Sequence, residues 1–527
     1  MSQCLIFGLD GATFTILDGL METGVMPNLK RFAEEGAHGK LMSVKPPLTP
    51  PAWTTLVTGR TPGHHGVCGF FQYNSPESSS IQIVGSRQVR AETMWAMVNR
   101  QGKRSGCLNF VAHNPAPKID GWALPGWVSW RWMKSLSHPA GVVEKLAAEI
   151  PGFDVKILAM DYEEERKAIV GSGIDDHEAW IQLHISREKQ WFETLKRLQS
   201  TQPVDLAGIV FDGVDKLQHL LWGYLDPRIA PSNPSPEYQR TRAAALEYFR
   251  TIDLLLGEAM ELFRDWTILI CSDHGFTNSW EILFINMWLE QAGYLTWAAG
   301  TEKTENPAEM EPSLYHLNAF DMDKTTAYAL TTSSNGIYIN VKGKKGDFGI
   351  DPADYGRFRD ELAARIANEI RDPATGESIV TGIATREEAF HGPAMDLAPD
   401  LTLQLRDFGF VSVRRSNGIL ANRENPFGTH HPEGILFARG PGIRAGAKIE
   451  PTRLLDIAPT TLFAMGLDIP ADLEGRVIEE LYEPAYLSEH AAKRGATTAA
   501  VQADTTAEVP DEDADILAKM QALGYLE

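Results

Sequence analysis

The chain has 527 residues, 43% hydrophobic and 23% charged, with a formal net charge of -21. That composition is globular and too long for one small core, so it calls for roughly two to four domains or one large α/β domain with insertions. The acidic balance argues against a polymeric nucleic-acid partner held through phosphate contacts, which needs a basic face, but not against a small anionic substrate, because bound metal ions reverse the local field.

In chain order, MSQCLIFGLD has neither a basic leader nor a long apolar run, and CLIFGLD (4–10) reads as a first strand rather than a signal peptide. MPNLKRFAEEG (26–36) predicts an amphipathic helix closed by a C-cap at Gly36. GCLNFV (106–111), LAGIVFD (206–212), WTILICSD (266–273) and GILFARG (434–440) are short apolar runs bounded by turn residues, the mark of strands buried on both faces. A long amphipathic helix is predicted over 241–265. The alternation of strand and helix points to an α/β fold, a mostly parallel sheet with helices on both sides.

Three stretches break the rhythm. Insertions are expected at about 120–200, rich in tryptophan and then in charged residues, at about 280–325, which includes the polar run GTEKTENPAEMEPS, and at about 341–400. They sit within a unit spanning 1–487; residues 488–527 read as a mobile linker followed by a helix-prone segment, ADILAKMQALGYLE. Cys4, Cys68, Cys107 and Cys271 form no CxxC pair and read as reduced, buried thiols. No run of about 18 apolar residues occurs, so no membrane span is expected; a reducing cytoplasm fits.

Acids and histidines collect at strand ends. Asp10 closes the first strand; Asp215 and His219 follow the strand at 206–212, spaced i, i+4 on a presumptive helix face; Asp273 and His274 close the strand at 266–273; His430 precedes the strand at 434–440. In an open α/β sheet these carboxyl ends gather along one edge, where ligands bind. Three carboxylates, three imidazoles and one hydroxyl exceed the four ligands of a closed zinc site and suit two ions about 4 Å apart, an arrangement for displacement at phosphorus. Mixed Asp and His ligation favours zinc or manganese over calcium or magnesium.

Together GLDGAT, LTPPAWTTLVTGRTPGHHGV, FDGVDKLQH, ICSDHGF and GTHHPEGILFARGPGI resemble the type I phosphodiesterase/nucleotide pyrophosphatase branch of the alkaline phosphatase superfamily, as does the closing LLDIAPTTLFAMGLDIPADLEGRVI. The resemblance covers roughly residues 3–480, with the motifs in the family's order. It implies an alkaline-phosphatase-like fold with inserted cap segments and a phosphodiesterase or pyrophosphatase with two metal ions, usually zinc, acting through a covalent threonine intermediate. Carried over by position, Asp10, Thr49, Asp273 and His274 hold one ion, Asp215, His219 and His430 hold the other, and Thr49 is the nucleophile.

Local chemistry agrees with Thr49. A residue before proline is pushed out of the α region, and proline is tolerated in a first helical turn, so Thr49 suits an N-cap or a strand-to-helix elbow, with a helix from Pro50 through Thr58 ending near Gly59. Metal coordination and the helix dipole then favour its alkoxide. Thr54, Thr55 and Thr58 fall to packing or to back-bonding onto carbonyls.

The pattern departs from the family where an asparagine that holds a phosphate oxygen is replaced by Phe70; Asn74 and Asn109 are the substitutes in view. Arg60 is either an anion clamp or solvated, His65 is structural, His431 competes with His430, and Asp212 supports the site from behind. Trp122, Trp127, Trp130 and Trp132 either stack a base or belong to the core. A sulfatase would need cysteine or serine at the nucleophile. A phosphomonoesterase acting on a small metabolite, or a metal-binding protein without turnover, are the alternatives.

Overall fold

The structure is a computed structural model describing residues 3–75, 77, 78, 81–160, 165, 174–301, 303 and 319–501. The helix expected at the C-terminus lies outside the described residues.

Three runs, CLIFGL, LAGIVF and TILIC, have every residue buried, as strands covered on both faces require. They form the centre of a nine-stranded sheet. Its order is Ala447–Lys448, Ala37–Met42, Glu433–Arg439, Thr267–Cys271, Cys4–Leu9, Leu206–Phe211, Ser105–Leu108 and Gly121–Leu124, with Thr452–Arg453 also on Ala37–Met42. From Thr267–Cys271 to Gly121–Leu124 every pairing is parallel. Glu433–Arg439 runs antiparallel to both neighbours.

Alternate residues of each strand feed two cores. Leu5, Phe7 and Leu9 pack with Trp191, Trp222 and Tyr248 on one face. Cys4 and Ile6 pack with Trp53, Trp95 and Leu462 on the other. Period-2 alternation thus makes a helix–sheet–helix sandwich. Pro236–Leu262, predicted over 241–265, lies on the first face. Thr49–Thr58 and Ile457–Ala464 lie on the second.

The helix Pro27–Glu35 does stop at Gly36, but not through a left-handed cap: Gly36 is extended, at φ -133 and ψ -162. Its reason is close approach, since a Cβ there would sit 2.1 Å from the Ala438 carbonyl oxygen.

Gly121–Leu124, at the start of the stretch expected as an insertion from about 120, is a strand of the main sheet. The expected insertion over 341–400 falls in a second unit. There Ala327–Ala329, Gly336–Ile339, Leu401–Leu405 and Val380–Thr385 make an antiparallel sheet. The helix Tyr355–Glu369 packs Leu362 and Ile366 into the same cluster as Ile337 and Leu401. A third sheet pairs Gly275–Phe284 antiparallel with Leu420–His431. All four cysteines are buried, with none in a disulfide.

Candidate active site

The parallel register sets Gly8 beside Cys271, so the residues just past both strands, Asp10 and Asp273, become neighbours. The turn after Asp10 passes through Gly11 at φ +66, where a Cβ would lie 2.7 Å from the Phe276 ring and 3.1 Å from Asp215 Oδ1. Only glycine lets the turn fit there. The Gly11 N–H donates to Asp273 Oδ1 at 3.1 Å, and the Trp53 indole N–H donates to Asp10 Oδ2 at 3.2 Å. Asp215 and His219 stand on the helix Gly213–Leu225, which follows the strand Leu206–Phe211. His430 arrives on the strand Leu420–His431, paired with Phe276.

Thr49 is fully buried in the first turn of Thr49–Thr58. The N-cap is Leu48 rather than Thr49: Leu48 is extended, and its carbonyl accepts the first helical bond from the Ala52 N–H at 2.9 Å. The prolines have a reason in this setting. A helix start leaves N–H groups without intrahelical partners, and here it is buried against acids and histidines. Pro50 and Pro51 remove two of those donors. The helix ends at left-handed Gly59, φ 62. Thr58 Oγ1 bonds back to the Thr54 carbonyl at 2.6 Å, whereas Thr55 Oγ1 pairs with His65 Nε2 at 2.9 Å.

The seven side chains meet. Thr49 Oγ1 lies 3.3 Å from His274 Nε2. His274 Nε2 is 3.3 Å from Asp273 Oδ2, 3.7 Å from Asp10 Oδ1 and 3.9 Å from Asp215 Oδ1. His430 Nε2 is 3.2 Å from Asp215 Oδ1, and His219 Nε2 is 3.6 Å from Asp215 Oδ2 and 3.0 Å from His430 Nε2. Every one is at most 3% exposed. Two groups have ligand atoms within 4.8 Å of one another: Asp10, Asp273, His274 and Asp215, His274, His430. His274 reaches both.

The donor chemistry suits cations. Each imidazole gives its Nδ1–H to a carbonyl: His219 to Gly428 at 2.7 Å, His430 to Pro47 at 2.8 Å and His274 to Gly275 at 3.1 Å. A carbonyl only accepts, so in each neutral ring Nε2 carries the lone pair. The lone pairs of His219 and His430 face each other, which is repulsive without a cation between them. Asp10 Oδ1, Asp215 Oδ1 and Asp273 Oδ2 are buried with no hydrogen-bond partner among the described residues.

Burial dominates the titration. It pushes Asp273 up to about 8 and Asp215 up to about 6, and Asp10 rises well above the carboxylate range, with Asp273 and Asp215 adding repulsion. Burial also depresses His219 to about 4 and His430 to about 3. Three crowded carboxylates and three neutral imidazoles resist ionisation on their own, and divalent charge inverts that balance.

The flanking residues take definite roles. Phe70 stacks on Trp127 with the rings 1° from parallel and 5.6 Å apart. The Trp127 indole N–H donates to Asp212 Oδ2 at 2.9 Å, and Asn109 Nδ2 donates to Asp212 Oδ1 at 3.2 Å. Asp212 also pairs with Lys216 at 3.0 Å. Asn74 is exposed. Arg60 is held in ion pairs with Asp472 at 2.7 Å and Glu474 at 3.3 Å. His65 is buried and depressed to about 3, a structural histidine. His431 accepts from the Glu433 N–H at 3.2 Å and packs on Phe408. Of the tryptophans, Trp122 is core, while Trp130 and Trp132 are 36% and 39% exposed. Sequence reasoning missed Trp53 and Gln218, the latter donating to the Gly11 carbonyl at 2.8 Å. Trp53's place one helical turn after Thr49 was the available signal. A cavity of about 180 Å³ abuts the cluster, lined by Lys45, Pro47, Phe408, Phe410 and His430 among others.

No curated protein sequence matches the chain. Among solved structures, murine ectonucleotide pyrophosphatase/phosphodiesterase 5, an inactive form in complex with AMP, is similar with a TM-score of 0.51 at 15% identity, over 92% of this chain and all of that one, 100%. The human form has a TM-score of 0.51 at 15% identity, over 91% of this chain and 100% of that one. Phosphonoacetate hydrolase from Sinorhizobium meliloti 1021, in complex with phosphonoacetate, has a TM-score of 0.52 at 16% identity, over 88% of this chain and 95% of that one. These likenesses establish the fold. The profile of the type I phosphodiesterase / nucleotide pyrophosphatase family matches residues 4–433, and the chain belongs to that family of phosphoric ester hydrolases.

Proposed function

We propose that this enzyme hydrolyses a small phosphodiester or pyrophosphate through a covalent phospho-threonine on Thr49, at a site for two divalent ions, zinc or manganese. The observation that carries the reading is the buried convergence of Asp10, Asp215, Asp273, His219, His274 and His430 around the Thr49 hydroxyl. The assignment of ligands follows position. Asp10, Thr49, Asp273 and His274 serve one ion, and Asp215, His219 and His430 serve the other.

When bound, the ions supply positive charge that favours the threonine alkoxide and offsets charge on the phosphoryl oxygens. Thr49 Oγ bonds to phosphorus as the opposite ester P–O bond breaks, and water then cleaves the P–O bond to Thr49, returning the hydroxyl. The carbonyls of Gly428, Pro47 and Gly275 hold the three imidazoles in the tautomer the site needs. Trp53 and Gly11 hold the two strand-end carboxylates in place. Burial keeps water other than the attacking one away. The pocket beside His430 offers apolar contact to a substrate's ester group. AMP and phosphonoacetate, bound by the similar proteins, mark the size and charge of molecule we assign.

On this reading residues 1–487 form the catalytic unit. Among the described residues no helix is long and apolar enough to cross a membrane; the four unpaired buried thiols support a reducing, cytoplasmic setting. The test compares bis-p-nitrophenyl phosphate with p-nitrophenyl phosphate after zinc or manganese is added to chelated protein. Faster turnover of the diester supports the proposal. Preference for the monoester replaces it with a phosphomonoesterase, and bound metal without turnover of either makes the chain a binding protein.

A further inference from the structure

Around the start of the helix that carries Asp215 and His219 lies a second group of ionisable side chains, none of them used in the chemistry above. Lys216 Nζ reaches Asp212 Oδ2 at 3.0 Å and Glu165 Oε1 at 3.5 Å. Glu165 Oε1 also pairs with Arg187, and Oε2 faces the His184 ring at 3.0 Å. Lys216, Arg187, Asp212 and Glu165 are each at most 4% exposed. Cations and carboxylates taken out of water together stabilise a fold little more than apolar side chains of the same size would. What they hold in place therefore counts for more than their net energy.

They hold the first turn of Gly213–Leu225. Asp212, its N-cap residue, accepts from Trp127 Nε1 at 2.9 Å and from Asn109 Nδ2 at 3.2 Å. The Gly213 N–H donates to Glu188 Oε1 at 3.0 Å, and a Cβ on Gly213 would lie 2.5 Å from the Tyr248 hydroxyl, so the turn is seated closely on its neighbours. His184, Arg187 and Glu188 stand at i, i+3 and i+4 of the helix Ile174–Thr201, on one face of it.

One ligand of the cluster depends on that turn above all. Asp10 and Asp273 each have an oxygen tethered, by Trp53 and Gly11, and each imidazole is fixed by a carbonyl. Among the described residues no donor tethers Asp215: Oδ1 accepts no hydrogen bond, and Oδ2 faces the His219 ring at 3.6 Å. The aim of Asp215 follows from the turn it stands on, next to Lys216.

We propose that Lys216 is a positioning residue for the ion of Asp215, His219 and His430: by tying Asp212 to Glu165 it locks the turn from which Asp215 is aimed. This rests on the two-ion reading above.

The test titrates zinc into chelated, full-length protein against a chromophoric chelator and reads the affinity of each ion; the ion that His219→Ala loses is the one concerned. Lys216→Met strands neither carboxylate, because Asp212 keeps Trp127 and Asn109 while Glu165 keeps Arg187 and His184. It should weaken that ion at least about tenfold, the scale of lost support around a metal ligand, and leave the other ion unchanged. A merely structural role would lower the thermal midpoint of the chelated protein without this selectivity. If Lys216→Met does not fold, Trp127→Phe decides: it keeps the ring on Phe70, removes the indole N–H from Asp212, and should weaken the same ion alone. No loss, equal loss at both ions, or loss at the other ion overturns the inference and leaves the two-ion reading standing. A wild-type chain that takes up no zinc defeats that reading, and this inference with it.

Discussion

At the scale of single residues, Thr49 is the most exposed to experiment. Its side chain is fully buried and small, so Thr49→Ala leaves the fold and the metal content near wild type. Hydrolysis should fall on the order of 10³-fold or more, as when other covalent nucleophiles are removed; substantial residual turnover would move the nucleophile elsewhere. His219→Ala separates ligation from chemistry in the opposite sense. Its ring lies 3.0 Å from His430 Nε2 and 3.6 Å from Asp215 Oδ2. We expect inductively coupled plasma measurements to find less bound metal per chain, and unchanged stoichiometry would remove His219 from the ligand set. The strand-end residues could be read from the sequence because parallel strands deliver their carboxyl ends to one edge. The carbonyls that fix the imidazoles could not, since backbone acceptors at Pro47, Gly275 and Gly428 carry no side-chain signature. Arg60 looked like an anion clamp only because its partners, Asp472 and Glu474, lie far along the chain.

At the scale of elements, two helices borrow what their own sequences lack. Pro27–Glu35 has no side-chain N-cap of its own. Asp253, from the middle of Pro236–Leu262, accepts from the Asn28 and Leu29 N–H groups at 3.0 and 2.8 Å. Asp253→Ala should therefore cost about 1–2 kcal/mol, measurable by chemical denaturation. Similarly, the helix Gly213–Leu225 begins on Glu188, whose Oε1 accepts from the Gly213 N–H at 3.0 Å and the Tyr248 hydroxyl at 2.9 Å. Burial, then Asp212, pushes Glu188 up to about 8 from 4.5. Between those values the native state binds a proton that the unfolded chain does not, so this group's contribution to stability falls as pH rises through that window. Glu188→Gln keeps the acceptor and deletes the titration. Its unfolding free energy should fall less steeply between pH 5 and 8, by up to about 1 kcal/mol per pH unit; parallel pH profiles would contradict the assignment. Buried strands and long amphipathic helices were legible because their periodicity is local. The C-cap at Gly36 was legible, although the steric limit that Ala438 sets on it leaves no local trace. The antiparallel sheet around Ile337 and Leu401 was hidden for a like reason: its strands are short and their partners distant.

At the scale of the molecule, the cluster is an electrostatic liability that bound cations would relieve. Chelated protein should unfold at a lower temperature than the zinc- or manganese-loaded form. A ligand that binds only the native state at a thousandfold excess over its Kd contributes about 4 kcal/mol. An identical thermal midpoint with and without chelator would mean that the seven side chains hold no ion in solution.

The first strand, Cys4–Leu9, lies between Leu206–Phe211 and Thr267–Cys271, so neither neighbour exists when it leaves the ribosome. Translation at roughly 5–20 residues per second needs roughly 15–50 s to reach the second of them. Both hydrogen-bonding edges of this apolar segment are open until Leu206–Phe211 is made, and one stays open until Thr267–Cys271 follows, a state prone to misassociation. Nascent chains stalled before Thr267 should therefore be sticky and protease-sensitive, and production of this protein should depend on holdase chaperones far more than the finished molecule's packing would indicate.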